Sequence, residues 1–257
     1  RGPRCLAFTP GKFDRTDNTD IQVPMLKDVK AQAPDAICEM VATNVSTNRI
    51  VNRDAPPFDN ADVRKAMVLT IDRQAFVDIL GQGETYIGGS MLPPPNGGWG
   101  WTPEYMKTVA GYDPDVAKNR EAARKIMTGL GYGPDNTLKI KVSTRNIATY
   151  RDPAVILIDH LKEIYIDATL DTVETSNWHA KVARKDYQVG LNLTGLGVDD
   201  PDAQFYESYS CGSQRNYTGY CNRELQKLFD EQSMMVDQEA RKKLVWEIDK
   251  RLQEDAA

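Results

Sequence analysis

The chain predicts an α/β fold, strands covered by helices, and three observations carry that prediction. From Asp113 onward, helical and strand patterns alternate, the order that covers a sheet with helices. Val189-Gly-Leu-Asn-Leu193 is a short apolar run of the kind that forms a buried strand. The 257 residues, 40% hydrophobic and 27% charged, suffice for one large or two modest cores.

Taken in order, Cys5, Leu6 and Phe8 mark a first helix with no preceding element to pack on. Ile21-Gln-Val23 reads as a short strand, Met25–Gln32 as a helix and Ala36–Val41 as a second strand. Asn48–Arg53 alternates weakly as another strand. Pro56 and Pro57 exclude helix before them, and Asp59 or Asn60 can cap a helix starting at residue 61. Val63, Ala66, Met67, Thr70, Ile71, Phe76 and Ile79 then form one apolar stripe, predicting a single helix over 61–80. Gly81–Gly100 is too rich in Gly and Pro for regular structure and must be a long loop.

Asp115–Leu130 is helical and stops at Gly131. Leu138–Ser143 and Ala168–Val173 are strands, separated by a helix over Ala154–Ile164. Asn177–Arg184 is a short helix before the buried strand. Asn222–Met234 and Gln238–Glu254 close the chain as helices, the latter striped by Leu244, Val245, Ile248 and Leu252.

Net charge of −5 leaves no domain-wide basic excess for phosphates, which argues against nucleic acid as a partner. No apolar run approaches membrane-spanning length. The opening Arg1-Gly-Pro-Arg shows no charged-then-apolar leader; a start removed from a longer chain is the preferred reading over a cytoplasmic protein. Cys211 and Cys221 bracket a polar, turn-rich loop that has little else to hold it, so a disulfide is expected there, with free thiols as the alternative. Such a bond would place the protein in the periplasm or outside the cell. Cys5 and Cys38 are either buried singly or paired. No metal or other cofactor is expected: His160, read as a helix-surface residue, and His179 are isolated.

The string Pro56-Pro-Phe-Asp-Asn-Ala-Asp-Val-Arg-Lys-Ala-Met-Val-Leu-Thr-Ile-Asp-Arg73 resembles the PPF(D/N)(D/N)xxVRxAxxxAIDR signature of the peptide/nickel class of extracellular solute-binding proteins. These are the ligand-capturing components of ABC importers. Further matches run along most of the chain: Gly11-Lys-Phe-Asp14, Leu130-Gly-Tyr132, Ile164-Tyr-Ile-Asp167, Asp186-Tyr-Gln-Val-Gly190, Asp199-Asp-Pro201 and Asn222-Arg-Glu-Leu225. The resemblance implies a periplasmic-binding-protein type II-like lobe, a mixed sheet flanked by helices, with a partial second lobe. Residues 1–54 would be the exit of lobe I with its hinge strand, and 55–257 lobe III, its last helix leading back towards lobe I. It also implies an internal piece lacking the N-terminal lobe and the C-terminal return. A peptide or other small solute and ABC permease subunits would be the partners, the intact protein being monomeric and non-enzymatic.

Three regions then face the ligand cleft. The hinge approach Asn44–Asn52, with Asn48, offers hydrogen-bonding side chains, though it also reads as a polar strand edge. Arg145, Asn146 and Tyr150 follow a strand, where Arg145 can clamp a ligand carboxylate or simply be solvated. Asn192, Thr194, Gly195, Gly197 and Asp199 form the third region. There Gly197 stands where peptide-binding relatives place an Asp for the ligand's α-amino group, and Thr194 where they often carry Trp. That departure disfavours generic oligopeptides and favours a modified ligand, with Gly195 and Gly197 opening space for bulk. Trp99 and Trp101 in the Gly/Pro loop are candidates for stacking on ligand. Two other classes stand beside this one: a hydrolase built on Asp199, Asp200 and Asp202, and an interaction module without a small ligand.

Overall fold

The computed structural model describes residues 3–41, 43–195 and 197–256. Its centre is a four-stranded sheet of order β1-β4-β2-β3, formed by β1 (Val45–Val51), β2 (Leu138–Arg145), β3 (Ile166–Val173) and β4 (Val189–Gly195). β2 is parallel to β3 and β4, whereas β1 runs antiparallel to β4 along its full length, from Val45 opposite Gly195 to Val51 opposite Val189. The sheet is therefore mixed, as expected.

Along the chain the helices are α1 (Pro3–Phe8), α2 (Leu26–Gln32), α3 (Ala61–Leu69), α4 (Arg73–Gly81), α5 (Pro103–Met106) and α6 (Val116–Gly129). They continue with α7 (Ala148–Lys162), α8 (Thr175–Ala183), α9 (Pro201–Ser208), α10 (Arg223–Ser233) and α11 (Gln238–Glu254). The main core joins α3, α6 and α7 to one sheet face through Phe58, Met67, Met127, Ile140, Val142, Leu157, Leu161 and Val189. The other face receives α8, whose Trp178 packs with Ile50, Val182 and Tyr187. A Cβ at Gly190 would lie 2.8 Å from Ile50 Cγ1, so the strand needs glycine there to let Ile50 and Trp178 close on it. A separate cluster of Met91, Phe205, Tyr220, Phe229, Val245 and Ile248 knits α9, α10 and α11 to the Gly/Pro loop.

Several local expectations are corrected. Ala36–Val41 is not a strand; Ile37 and Val41 stand 87% and 72% exposed. Ile21–Val23 runs into a single 3-10 turn, Val23–Met25, instead of a strand. The stripe over 61–80 is two helices. Thr70 Oγ1 donates to the carbonyl of His160 at 2.9 Å, and Asp72 starts a new helix by accepting from the Ala75 amide at 3.1 Å. The helix expected from Ala154 begins at Ala148 and carries Pro153 inside it. His160 is buried against Phe76, not on the surface. Burial and the nearby Arg120 charge hold its imidazolium below the usual range. Cys211 and Cys221 are disulfide-bonded, while buried Cys5 and exposed Cys38 are free thiols.

Candidate functional site

Because β1 is antiparallel to β4, the start of β1 lies beside the carboxyl end of β4, next to the carboxyl end of β2. That edge is where open α/β sheets leave room for ligands. Ser46 and Asn48 on β1 and Asn192 and Thr194 on β4 share one face, paired across the two strands. Asn48 lies opposite Asn192, and its Nδ2 donates to Thr194 Oγ1 at 2.8 Å. Asn48 Oδ1 is sealed from solvent with no partner among the described residues. Asn192 is buried, its Oδ1 accepting from the Trp178 indole at 3.2 Å. Its carbonyl oxygen thus satisfies a core donor.

Arg145 ends β2, two residues beyond the Ser143–Gly190 pair, just as Asn192 lies two beyond it on β4. Its Nη1 donates to the Tyr150 hydroxyl at 2.7 Å and its Nε to Thr175 Oγ1 at 3.4 Å. The guanidinium carbon lies 4.5 Å from the Tyr150 ring centre. Tyr150 occupies the first turn of α7, whose amides point towards the same end. Among the described residues Arg145 makes no ion pair with a carboxylate. It is an aimed cation that keeps capacity for a bidentate partner. Asn146 is exposed, its backbone amide tied to the Val173 carbonyl at 2.9 Å and its side chain reaching Glu174 at 3.5 Å.

A family model for bacterial extracellular solute-binding proteins, family 5 (middle region), matches residues 7–216. The chain belongs to that family. Among curated relatives it is 29% identical over 198 residues to the oligopeptide-binding protein OppA of Bacillus subtilis, covering 76% of this chain and 35% of the relative. It is 26% identical over 207 residues to the periplasmic oligopeptide-binding protein OppA of Haemophilus influenzae, covering 75% and 35%. The chain therefore spans about a third of the length of these relatives. Among solved structures, Haemophilus influenzae OppA in complex with RPPGFSPFR superposes with a TM-score of 0.82 at 22% identity, over 98% of this chain and 48% of that one. Helicobacter pylori DppA in complex with the peptide STSA gives 0.78 at 19%, over 98% and 47%. At these identities the superpositions establish the fold, the type II periplasmic-binding-protein arrangement. The family's description names its members extracellular solute-binding proteins.

The remaining sequence candidates take different places within this family 5 lobe. Gly195 packs its backbone against Val45, where a Cβ would lie 3.2 Å from Cγ2, while Gly197 faces open space. Trp101 is fully buried beside Tyr105 and Tyr112, so it packs the core and offers no face to a cleft. Trp99 is half-buried; its indole donates to the Asp199 carbonyl at 2.9 Å, and the Arg241 guanidinium lies 4.6 Å over its ring. Asp199 accepts from the Gly98 amide at 2.8 Å. Trp99 and Asp199 therefore serve each other, pinning the Gly/Pro loop to the segment after β4. Asp200 caps α9 through the Asp202 amide at 2.9 Å and is gripped by both Nη atoms of Arg241 at 3.0 and 3.2 Å. Asp202 accepts from Ser233 at 2.6 Å. Asp199 holds the Gly/Pro loop while Asp200 and Asp202 tie α9 to α11 and α10, so the acidic trio does not converge on a reaction centre. That removes the basis of the hydrolase alternative.

Missed in the sequence is a polar chain on the same sheet face: Ser143 Oγ donates to Asp171 Oδ2 at 2.7 Å, and Lys181 lies 3.9 Å from that oxygen. The alternation Asp167, Thr169, Asp171 in β3 was its signal. Two surface concavities, of about 660 Å³ beside the disulfide loop and about 510 Å³ between α3 and the end of α11, lie away from the strand ends.

Proposed function

We propose that this chain supplies one wall and the hinge strand of a receptor that captures a peptide or peptide-like solute in the periplasm and hands it to an ABC permease. The observation that carries the reading is Arg145, fixed by Tyr150 at the carboxyl edge of the sheet without a carboxylate partner. Asn48, Thr194 and the space at Gly197 border the same edge. Asn146 lies beside them, accessible to a ligand. A ligand carboxylate on Arg145 gains charge-assisted bonds, while ligand amides meet hydroxyl and amide side chains. Closure of an opposing lobe would exclude water and shift the population towards a transport-competent form. Gly197 provides no carboxylate for a free α-amino group, which favours solutes whose amino end is blocked or differently held. The disulfide suits an oxidising compartment.

One wall offers only part of the contacts a small ligand needs. Calorimetric titration of residues 1–257 with mixed di- and tripeptides is therefore expected to show weak or no heat of binding, with no peptide consumed. Tight binding by these residues alone would contradict the one-wall reading, and peptide turnover would contradict the receptor reading.

A further inference from the structure

The segment that leaves β4 has no regular structure of its own to hold it. Residues 197–199 are exposed bends between the end of β4 and the start of α9. Three bonds tie them down. The Val198 carbonyl accepts from Asn44 Nδ2 at 3.3 Å, and the Asp199 carbonyl accepts from the Trp99 indole at 2.9 Å. The Asp199 carboxylate accepts from the Gly98 amide at 2.8 Å. Two of the three bonds therefore come from the Gly/Pro loop and are only as firm as that loop's placement.

That placement converges on one side chain of α11. Arg241 grips Asp200 with both Nη atoms, at 3.0 and 3.2 Å, and its Nη2 also lies 3.5 Å from Asp202. Its Nε donates to Gln232 of α10 at 3.0 Å, and the side chain is 15% exposed. The same guanidinium lies 4.6 Å from the Trp99 ring centre, while the Trp99 carbonyl accepts from the Trp246 indole of α11 at 2.9 Å. One planar group thus fixes both the residue that follows the bends and the ring whose indole holds them. A lysine ammonium, a point charge without the fork, cannot grip a carboxylate at two oxygens and cover a ring at once. Ordering irregular backbone in advance spares a ligand that cost when it binds.

We propose that Arg241 is a positioning residue for solute capture. Without touching the ligand, it sets the stretch from Gly197 to Asp199 against the strand ends and so governs the glycine side of the wall. The role rests on the peptide-wall reading and names what holds the irregular side of that wall in place.

NMR of the isotope-labelled 257-residue chain tests this, with N-acetyl-trialanine as the probe. The Gly98 amide and the Trp99 indole report the clamp, and the Trp178 indole, bonded to Asn192 in the core, reports the fold. In Arg241→Met the first two are expected to exchange with solvent about tenfold faster, with the Trp178 signal unmoved. The dissociation constant for the peptide rises roughly threefold to tenfold. Peptide-induced shifts shrink at Gly195 and Gly197 while those at Arg145 and Asn146 persist. Arg241→Lys falls between the parent and the Met variant. Asp200→Asn keeps the α9 cap but gives up the gripped charge, and it supplies the same readings if Arg241→Met loses the Trp178 signal. Unchanged exchange at Gly98 and Trp99, or shifts at Gly195 and Gly197 equal to the parent's, overturn the role, as does a uniform loss of shifts that includes Arg145. A peptide that moves no strand-end signal in the unsubstituted chain overturns the wall reading and this role together, whereas a parent that responds and variants that respond equally overturn this role alone.

Discussion

The stretch from α1 to Val41 and the stretch from β1 to α11 contain similar apolar patterns, yet they bury very different amounts of them. The first holds a small cluster of Cys5, Ile21 and Val29 and leaves Ile37, Met40 and Val41 exposed. The second closes α3, α6 and α7 over a sheet, burying Phe58, Met67, Met127 and Leu161 completely. What differs is the availability of a partner surface. An alternating segment becomes a strand only where an edge accepts its amides, and β1 already meets β4 while Ala36–Val41 meets no edge.

That contrast can be broken by substitution. Leu161→Ala removes a fully buried side chain from the main core and is expected to cost about 2–5 kcal/mol in a denaturant titration. Asp249 sharpens the same point with charge. It is buried, accepts from the Ser90 amide at 2.9 and 3.0 Å, and burial raises its carboxyl from 3.8 to about 6. Between those values the folded chain holds a proton that the unfolded chain has lost. Stability therefore falls as pH rises from about 4 to about 6, by up to about 3 kcal/mol at 1.4 kcal/mol per unit. In Asp249→Asn this contribution disappears, so unfolding measured against pH shows the variant gaining on the parent across that window.

Gly190→Ala should cost about 1–3 kcal/mol by forcing Ile50 away from β4, read as a lower denaturation midpoint. Ile37→Ser, in the exposed stretch, should change stability by no more than about 0.5 kcal/mol. A loss comparable to that of Leu161→Ala would mean that residues 36–41 are packed after all.

The second region was also the more legible one in the sequence. Helix ends there carry their own signals: Asp115, Asp200, Asn222 and Asp237 all cap as side-chain acceptors, and Gly131 adopts φ +90° after α6. Periodicity could not reveal that Thr70 would be drawn to the His160 carbonyl, which splits the 61–80 stripe and buries the histidine. Nor could it show that Pro153 would be accommodated in α7, which brings Tyr150 onto Arg145. Among the candidate site residues, residue type picked out Arg145, Asn48 and Thr194, which the fold brings to the strand ends. It could not separate them from Asn192, Trp99 and Asp199, which the fold engages in its own hydrogen bonds.

The most direct test of the peptide-wall reading is amide-resolved NMR titration of the isotope-labelled chain with short peptides at millimolar concentration. Weak, saturable shifts gathered at Asn48, Arg145, Asn146, Thr194, Gly195 and Gly197, and reduced in Arg145→Met, are the expected result. Shifts confined to the disulfide-loop concavity, or spread without preference for the strand ends, would contradict it.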